Sequence, residues 1–550
     1  MTPKVYKILL LRPPEPRGAA FAQFYTLHEA LGIGYLASYL RSRGCMVEIL
    51  DAHIEGLDID KTIECLENKD IDILGISIIS PLVLPQAYQI AAAIRSLKKN
   101  IHITMGGQHP TFFYDSILEK HPAIDTIIRF EGEITLFELI KNINRQAEWG
   151  TIEGIAFRKD GKVLATPPRS LIADLDSLPF PARDTLPKLL AKGGLPVLLT
   201  GRGCPNDCSF CSVHAFYSIP HGKLCRQRSP ENVVSEIRQL ISNFGCDEIW
   251  FVDENFFGPG KAGRKRVRQI FQGMEKESLR LTRIDFSCRA DSVVADHELM
   301  ELAVRQGTEL VYVGVEAGVQ RILDLYNKRI TVAQNEQALK IIKDSGAKIK
   351  MEFIFFNPWI TFGEVKETLS FLEKVKIYDP YILTSLLTIM RNTPLGRLIE
   401  EDQIAIASPS AEQLTGFDRD AFIPYQIADA HARMVFDIAS TALMQFETAL
   451  YALSKMSHLI QLNQDSLKPE DIATNNESID DYAQLINETS LDIFKEAVMA
   501  VEEIPATAAP DSHKSVQQEL MQRTLQFAKF LAGVIDIQEK ELVNGIHKST

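Results

Sequence analysis

Hydrophobic positions in the first 140 residues fall into short runs of two kinds that alternate. VYKILLL (5–11) is apolar except for Lys7, reads as a buried strand, and breaks into the Pro-rich loop RPPEPRG. ALGIGYLASYLRSRG (30–44) spaces its apolar residues at helical intervals and ends on Gly44. The pattern then repeats. MVEILDA, IDILGISII, HITMGG and IDTIIRF read as strands, each followed by a helical stretch. Five strand–helix units in a row predict an open parallel sheet with helices on both faces, a Rossmann-like (flavodoxin-like) α/β domain over residues 1–148. Ligands of such sheets sit outside the C-terminal strand ends, so the informative loops are RPPEPRG, DAHIEG, SIISPLVLP, GGQHPT and FEGE.

Residues 149–192 read as a connector, with a small hairpin turning at Asp160-Gly161 and then the Pro-rich LDSLPFPARDTLP. A second alternation occupies 193–405. Its strands are LPVLLTG, EIWFVDE, RIDFSCRA, LVYVGVEAG, KMEFIFF and YILTSLLTIM, which predicts a six-unit partial βα barrel with its chemistry at the C-terminal strand ends. From 406 to 550 the period is helical throughout, with NQDSLKPEDIATNNES and IPATAAPDS as polar linkers.

Composition narrows the partners. The net charge is −13, and residues 401–550 hold about 24 acidic against about 10 basic side chains, so the helical region carries essentially all of it. That balance argues against nucleic acid as the main partner. The basic run GKAGRKRVR (260–268) reads as a solvated helix face. No stretch approaches the roughly 20 apolar residues of a membrane span, and the expected setting is cytoplasmic. Eight cysteines in 550 residues are too few for a disulfide framework.

Three of those cysteines stand together in GCPNDCSFC: Cys204, Cys208 and Cys211. The spacing is that of metal-binding thiolates. His214 could complete a Cys3His zinc site, while an iron–sulfur cluster would keep one iron open. CPNDCSFC resembles the CxxxCxΦC signature of the radical S-adenosylmethionine (SAM) superfamily, with Phe210 before the last cysteine. The resemblance implies a [4Fe–4S] cluster on the three thiolates and SAM on the fourth iron. It further implies SAM contacts at Phe210, at Asp253, Glu254 and Asn255 of FVDENFF, at Arg289 of CRADSV and at Glu316 of GVEAG. RQRSPENVVSEI is similar to the segment after the cluster loop, with Ser229 as an N-cap. NPW at 357–359 departs from the family's Gly-Pro segment.

The preceding α/β domain resembles the cobalamin-binding subfamily. Cys45 and Cys65 are too few for the extra cluster of methylthiotransferases. DAHIEG fits D-x-H-x-x-G, whose His ligates cobalt elsewhere, but it follows the second strand and not the first. His53 is therefore expected to be an ordinary loop histidine, and the cobalamin base-off without a protein ligand. The implied cobalamin contacts are Ser77, Ser80, Pro81, Leu82, Gly106, Gly107, Gln108, His109, Glu131, Gly132 and Glu133.

Taken together, the resemblance implies a radical SAM enzyme that methylates an unactivated carbon through a 5′-deoxyadenosyl radical and methylcobalamin. It implies an organic substrate, unidentified by the sequence, and an external electron donor such as flavodoxin or ferredoxin. Two alternatives stand beside it: cyclisation, ring contraction or another rearrangement by the same machinery, and an iron–sulfur sensor or electron-transfer protein.

Overall fold

A computed structural model describes residues 6–16, 27–402, 422–463, 467–505, 509 and 511–549. The expected 405/406 boundary lies outside these described residues.

The first sheet has seven strands: β1 (Lys7–Arg12), β2 (Met46–Asp51), β3 (Ile73–Ile78), β4 (His102–Gly107), β5 (Thr126–Ile128), β6 (Ile155–Lys159) and β7 (Lys162–Ala165). Their order is β2-β1-β3-β4-β5-β6-β7. The first five are parallel, as the alternation predicts, and β1 lies between β2 and β3. The chain therefore reverses its winding between β1 and β3, where such sheets open a crevice. The hairpin expected in the connector is instead the far edge of this sheet. β6 pairs antiparallel with β5, and β7 with β6. Ile155 and Phe157 are buried in the same core as Ile8 and Leu10, which explains why the hairpin docks there.

The second sheet is parallel and follows chain order: β8 (Val197–Leu198), β11 (Glu248–Phe251), β12 (Arg283–Arg289), β13 (Thr308–Glu316) and β14 (Lys348–Phe353). A short antiparallel pair, β9 (Gly201–Arg202) with β10 (Arg226–Gln227), brackets the cysteine loop. YILTSLLTIM, expected as a sixth strand, opens as the helix Pro380–Thr384 and then pairs only through isolated bridges, Leu386 with Phe356 and Met390 with Phe422. Pro380 at the first helical turn and the Asp379 cap, which accepts from the Ile382 amide at 2.7 Å, favour helix there.

The helices Ala430–Leu443, Glu447–Leu462, Pro469–Glu502 and Lys514–Ser549 make up the C-terminal region. Residues 469–478, expected to be linker, form the first turns of a 34-residue helix. These helices share one hydrophobic core with the second sheet. Phe494 packs tilted 5.0 Å from Phe355, and Phe436 lies 5.1 Å from Phe356, with Phe355 and Phe356 standing just past β14. The region covers the β14 side of the half barrel. No described helix is long and apolar enough to cross a membrane.

Candidate active site

The cysteine loop starts from a fixed neck. Gly203 has φ +81°, and a Cβ there would stand 2.0 Å from the Leu224 carbonyl oxygen, so the backbone passes only as glycine. Ser209 anchors the loop's middle, its amide donating to Tyr326 O at 2.9 Å and its hydroxyl to Leu325 O at 2.7 Å. Asn327 Nδ2 donates to Asp207 O at 3.1 Å, and Arg329 pairs with Asp207 at 2.7 Å. Phe210 packs edge-on to Tyr326 at 5.3 Å, beside the loop. Cys211 caps the helix Ser212–Ser218.

All three thiols are free, and Cys208 is buried. Burial pushes the Cys211 thiol up to about 12 and also raises Cys208, against the pull of Lys328 and Arg289. Thiolates here need cationic company, which a cluster's irons supply. Arg289 Nη1 lies 3.6 Å from Cys208 Sγ. Among the described residues no three His, Cys, Asp or Glu side chains converge on one point as a single-ion site needs. A cluster takes each thiolate on a different iron, so its ligands need not meet. His214 lies on the helix after the loop, its Nδ1 buried without a partner among the described residues.

The residues expected to contact SAM divide in two. Asp253 is turned to the wall, where its carboxylate accepts from the Thr200 amide at 3.0 Å and hydroxyl at 2.7 Å. Arg266 backs the same corner, donating to Thr200 O at 2.6 Å and Arg228 O at 2.7 Å. Arg266 is buried, so the basic run is not wholly a solvated face. Asn255 holds its own turn, accepting from the Arg289 amide at 3.3 Å. Arg289 is already paired with Asp291 at 3.0 Å and donates to Lys328 O at 2.7 Å. Asp253, Asn255 and Arg289 therefore shape the mouth through these contacts.

Glu254 and Glu316 face the hollow of the half barrel. Glu254 keeps an exposed surface, yet the protein crowded around it and then the Asp253 charge raise its carboxyl to about 7. Glu316 pairs with Lys328 at 2.5 Å, both side chains under a tenth exposed. Glu352 stands over the same spot. An ideal Cβ on Gly314 would lie 2.7 Å from Glu316 Oε1, 2.8 Å from Lys328 Nζ and 3.7 Å from Glu352 Oε2. Lys328 and Glu352 are absent from the sequence reading. Their signals are weak ones, a lysine in the turn YNKR and a carboxylate at an inward position of KMEFIFF.

The first sheet presents a cavity of about 270 Å³ at the C-terminal ends of β1, β3, β4 and β5. Of the residues expected to contact cobalamin, Ser77, Gly106, Gly107, Glu131, Gly132 and Glu133 line it. Gly107 has φ +122°, and a Cβ there would stand 2.2 Å from Ile78 O. Ser80, Pro81, Leu82, Gln108 and His109 lie outside the lining. Ser80 caps the short turn Pro81–Val83, accepting from the Leu82 amide at 3.3 Å. Gln108 Oε1 accepts from Ser212 Oγ at 3.1 Å, and His109 is buried against Phe113 at 4.7 Å. Glu131 and Glu133 spend their charge on arginines: Arg202 donates to Glu131 at 2.9 Å and to Glu133 at 2.6 Å, and Arg226 to Glu131 at 2.8 Å. Burial opposes the Glu131 charge, but Arg202 and Arg226 outweigh it and hold the carboxyl below its ordinary range. His53 sits on the short helix Ala52–Glu55 after the outer strand β2 and does not line the cavity. An apolar cleft floored by glycine fits the nucleotide tail of a corrin.

Comparison with known proteins settles the family. The B12 binding domain family matches residues 18–140, and the Radical SAM superfamily matches residues 198–372. An uncharacterized methyltransferase of Pyrococcus horikoshii is 34% identical over 379 residues, 68% of this chain and 79% of that one. The chain belongs to the cobalamin-binding radical SAM enzymes. An anaerobic magnesium-protoporphyrin IX monomethyl ester cyclase of Rubrivivax gelatinosus is 29% identical over 342 residues, 58% of each chain. Among solved structures, the cobalamin-dependent SAM radical enzyme OxsB, with aqua-cobalamin and SAM bound, superposes with a TM-score of 0.78 at 19% identity. That match covers 99% of this chain and 84% of OxsB, so the C-terminal helices belong to the shared fold. The cofactors of this family are cobalamin, SAM and a [4Fe–4S] cluster, and the cysteine loop and the glycine-floored cavity suit them.

Proposed function

We propose that this protein is a C-methyltransferase acting on an unactivated carbon. One observation carries the reading: the corrin-side strand ends and the cluster loop adjoin. Gln108 of the first sheet's edge binds Ser212, next to Cys211, and Phe130 packs 5.5 Å from Phe216 on the same helix. A methyl donor and a radical source set side by side suit transfer to a carbon held between them. The methyltransferase relative, with its coverage of most of both chains, supports this outcome.

When bound, the cluster and SAM supply the hydrogen-abstracting radical, and the corrin supplies the methyl group. The chain's own residues prepare that chemistry. Cys204, Cys208 and Cys211 hold the cluster. Glu316, fixed by Lys328, is the acceptor proposed for the SAM ribose, and Glu254 the acceptor for its ammonium. An organic substrate enters the mouth and faces Glu352. The electron comes from an external low-potential protein donor. Ser77, Gly106, Gly107 and Gly132 receive the cobalamin tail, while Glu131 and Glu133 act from the wall through Arg202.

The cyclase relative supports a second reading, ring formation or rearrangement on the same scaffold. Product stoichiometry separates the two. Methyl transfer yields S-adenosylhomocysteine and 5′-deoxyadenosine in equal amounts. If turnover yields 5′-deoxyadenosine without S-adenosylhomocysteine, the methylation reading fails and rearrangement stands. If neither forms while the cluster is intact, the protein is an iron–sulfur sensor or carrier.

A further inference from the structure

The cavity in the first sheet and the cysteine loop in the second share a wall. Arg202, two residues before Cys204, lines the cavity, and so do Phe216 and Tyr217, on the helix that Cys211 caps. Both ends of the loop thus meet the cavity. They also meet each other: Tyr217 Cδ2 lies 3.3 Å from the position of a Cβ on Gly203. The loop is a closed bow whose knot is part of the cavity lining.

Arg202 ties that knot to the sheet. Its guanidinium forks onto Glu131 and Glu133, on either side of the lining residue Gly132. The ion pairs are almost closed to water, with side-chain exposures of 10% for Arg202, 8% for Glu131 and 5% for Glu133. A planar fork between two carboxylates fixes direction as well as distance, which a lysine cannot do. Glu131 is held from a second side by Arg226, and it accepts from the Ile172 amide at 2.8 Å. Packed side chains and buried pairs of this kind shift as a unit when a ligand fills the space beside them.

We propose that filling this cavity with the nucleotide tail of cobalamin sets the cluster loop for SAM, and that Arg202 is the positioning residue that transmits it. The consequence is a preferred order of assembly. SAM binds the cluster about tenfold more tightly once the corrin is seated, so radical formation is favoured in a site that already holds its corrin. The inference rests on the family's cofactors and on the tail's occupying this cavity; it is independent of which product is formed.

The test uses full-length protein with its cluster reconstituted and reduced. SAM is titrated while the electron paramagnetic resonance spectrum of the cluster is recorded, with no corrin, with cobinamide (a corrin without the nucleotide tail) and with cobalamin. The expected result is half-saturation at about tenfold less SAM with cobalamin than with cobinamide, a coupling of ordinary size. Linkage requires SAM to tighten cobalamin, and not cobinamide, by the same factor. R202K, which keeps the charge and loses the fork, should respond to SAM equally with both corrins when each is supplied at saturation. Should R202K fail to assemble a cluster, E133Q, which removes one prong's partner, should show a reduced ratio instead. Equal SAM responses with all three preparations of the wild type would overturn the proposal, as would an R202K or E133Q protein with the full wild-type ratio. Cobinamide retained as tightly as cobalamin would overturn it at its premise, the seating of the tail.

Discussion

Two buried ions hold the end of β13 in a backbone conformation that strands avoid. Glu316 has φ +65°, and the pairing of β13 with β14 slips between Gly314 and Glu316. A non-glycine residue there stores strain of about 1–3 kcal/mol, kept only where the surroundings dictate it. Lys328 is that dictate. Replacing it with methionine leaves Glu316 buried and uncompensated, a loss of about 3–5 kcal/mol. Urea denaturation of K328M should show it as a lowered midpoint, and K328R should recover much of the loss. Glu352, in the same hollow, has its carboxyl raised by enclosure and by Glu316, against Lys328. The folded state then binds a proton that the unfolded chain has released. The resulting stabilisation is complete below about 4.5 and is lost as pH rises towards about 7. Melting temperatures of E352Q should therefore fall less than wild type between roughly pH 5 and pH 7.5. Equal slopes would remove Glu352 from the account. C211S should lose the iron–sulfur absorbance, since the loop holds no spare thiol between Cys204 and Cys211.

At the scale of elements, strand ends and caps decide the geometry. Gly107 closes β4 where the cavity begins, and a methyl group there meets the Ile78 carbonyl backbone. G107A should cost more than about 1 kcal/mol and weaken corrin retention together, read by thermal melting and by gel-filtered absorbance. A G107A protein that keeps both would mean that the β3–β4 edge can give way. Thr361 and Glu364 form a reciprocal cap on the helix Phe362–Val375, after β14. T361A should cost about 1 kcal/mol in melting experiments and leave cofactor binding untouched. The strands and the cysteine loop were legible because apolar runs and thiol spacing are local signals. The sixth strand was not, because Asp379 and Pro380 start a helix inside an apolar run. The helix over 469–478 reads as linker because its first ten residues offer the core little beyond Ile472, and the hairpin's attachment to the first sheet depends on a core built from distant segments. Residue type marks Asp253 and Glu131 as polar positions, but the partners that share their charge, Thr200 and Arg202, come near only in the fold, whereas Asp291 stands two residues from Arg289 in the sequence.

The whole molecule is two sheets whose parallel strands end side by side at the cysteine loop, the first sheet carrying an antiparallel hairpin at its far edge, with helices closing the β14 side of the second. The net negative charge of the chain falls in residues 401–550, where acidic side chains outnumber basic ones. In this arrangement the first sheet would seat a corrin beside a cluster held by the second. The direct test is an absorbance spectrum of anaerobically reconstituted protein, incubated with cobalamin and desalted, alongside H53A. Retained corrin bands at base-off positions, the same in both proteins, are the predicted result, because His53 lies on the outer strand's helix and off the cavity. Desalted protein with intact iron–sulfur absorbance and no corrin, or corrin bands that vanish or move in H53A, would contradict it.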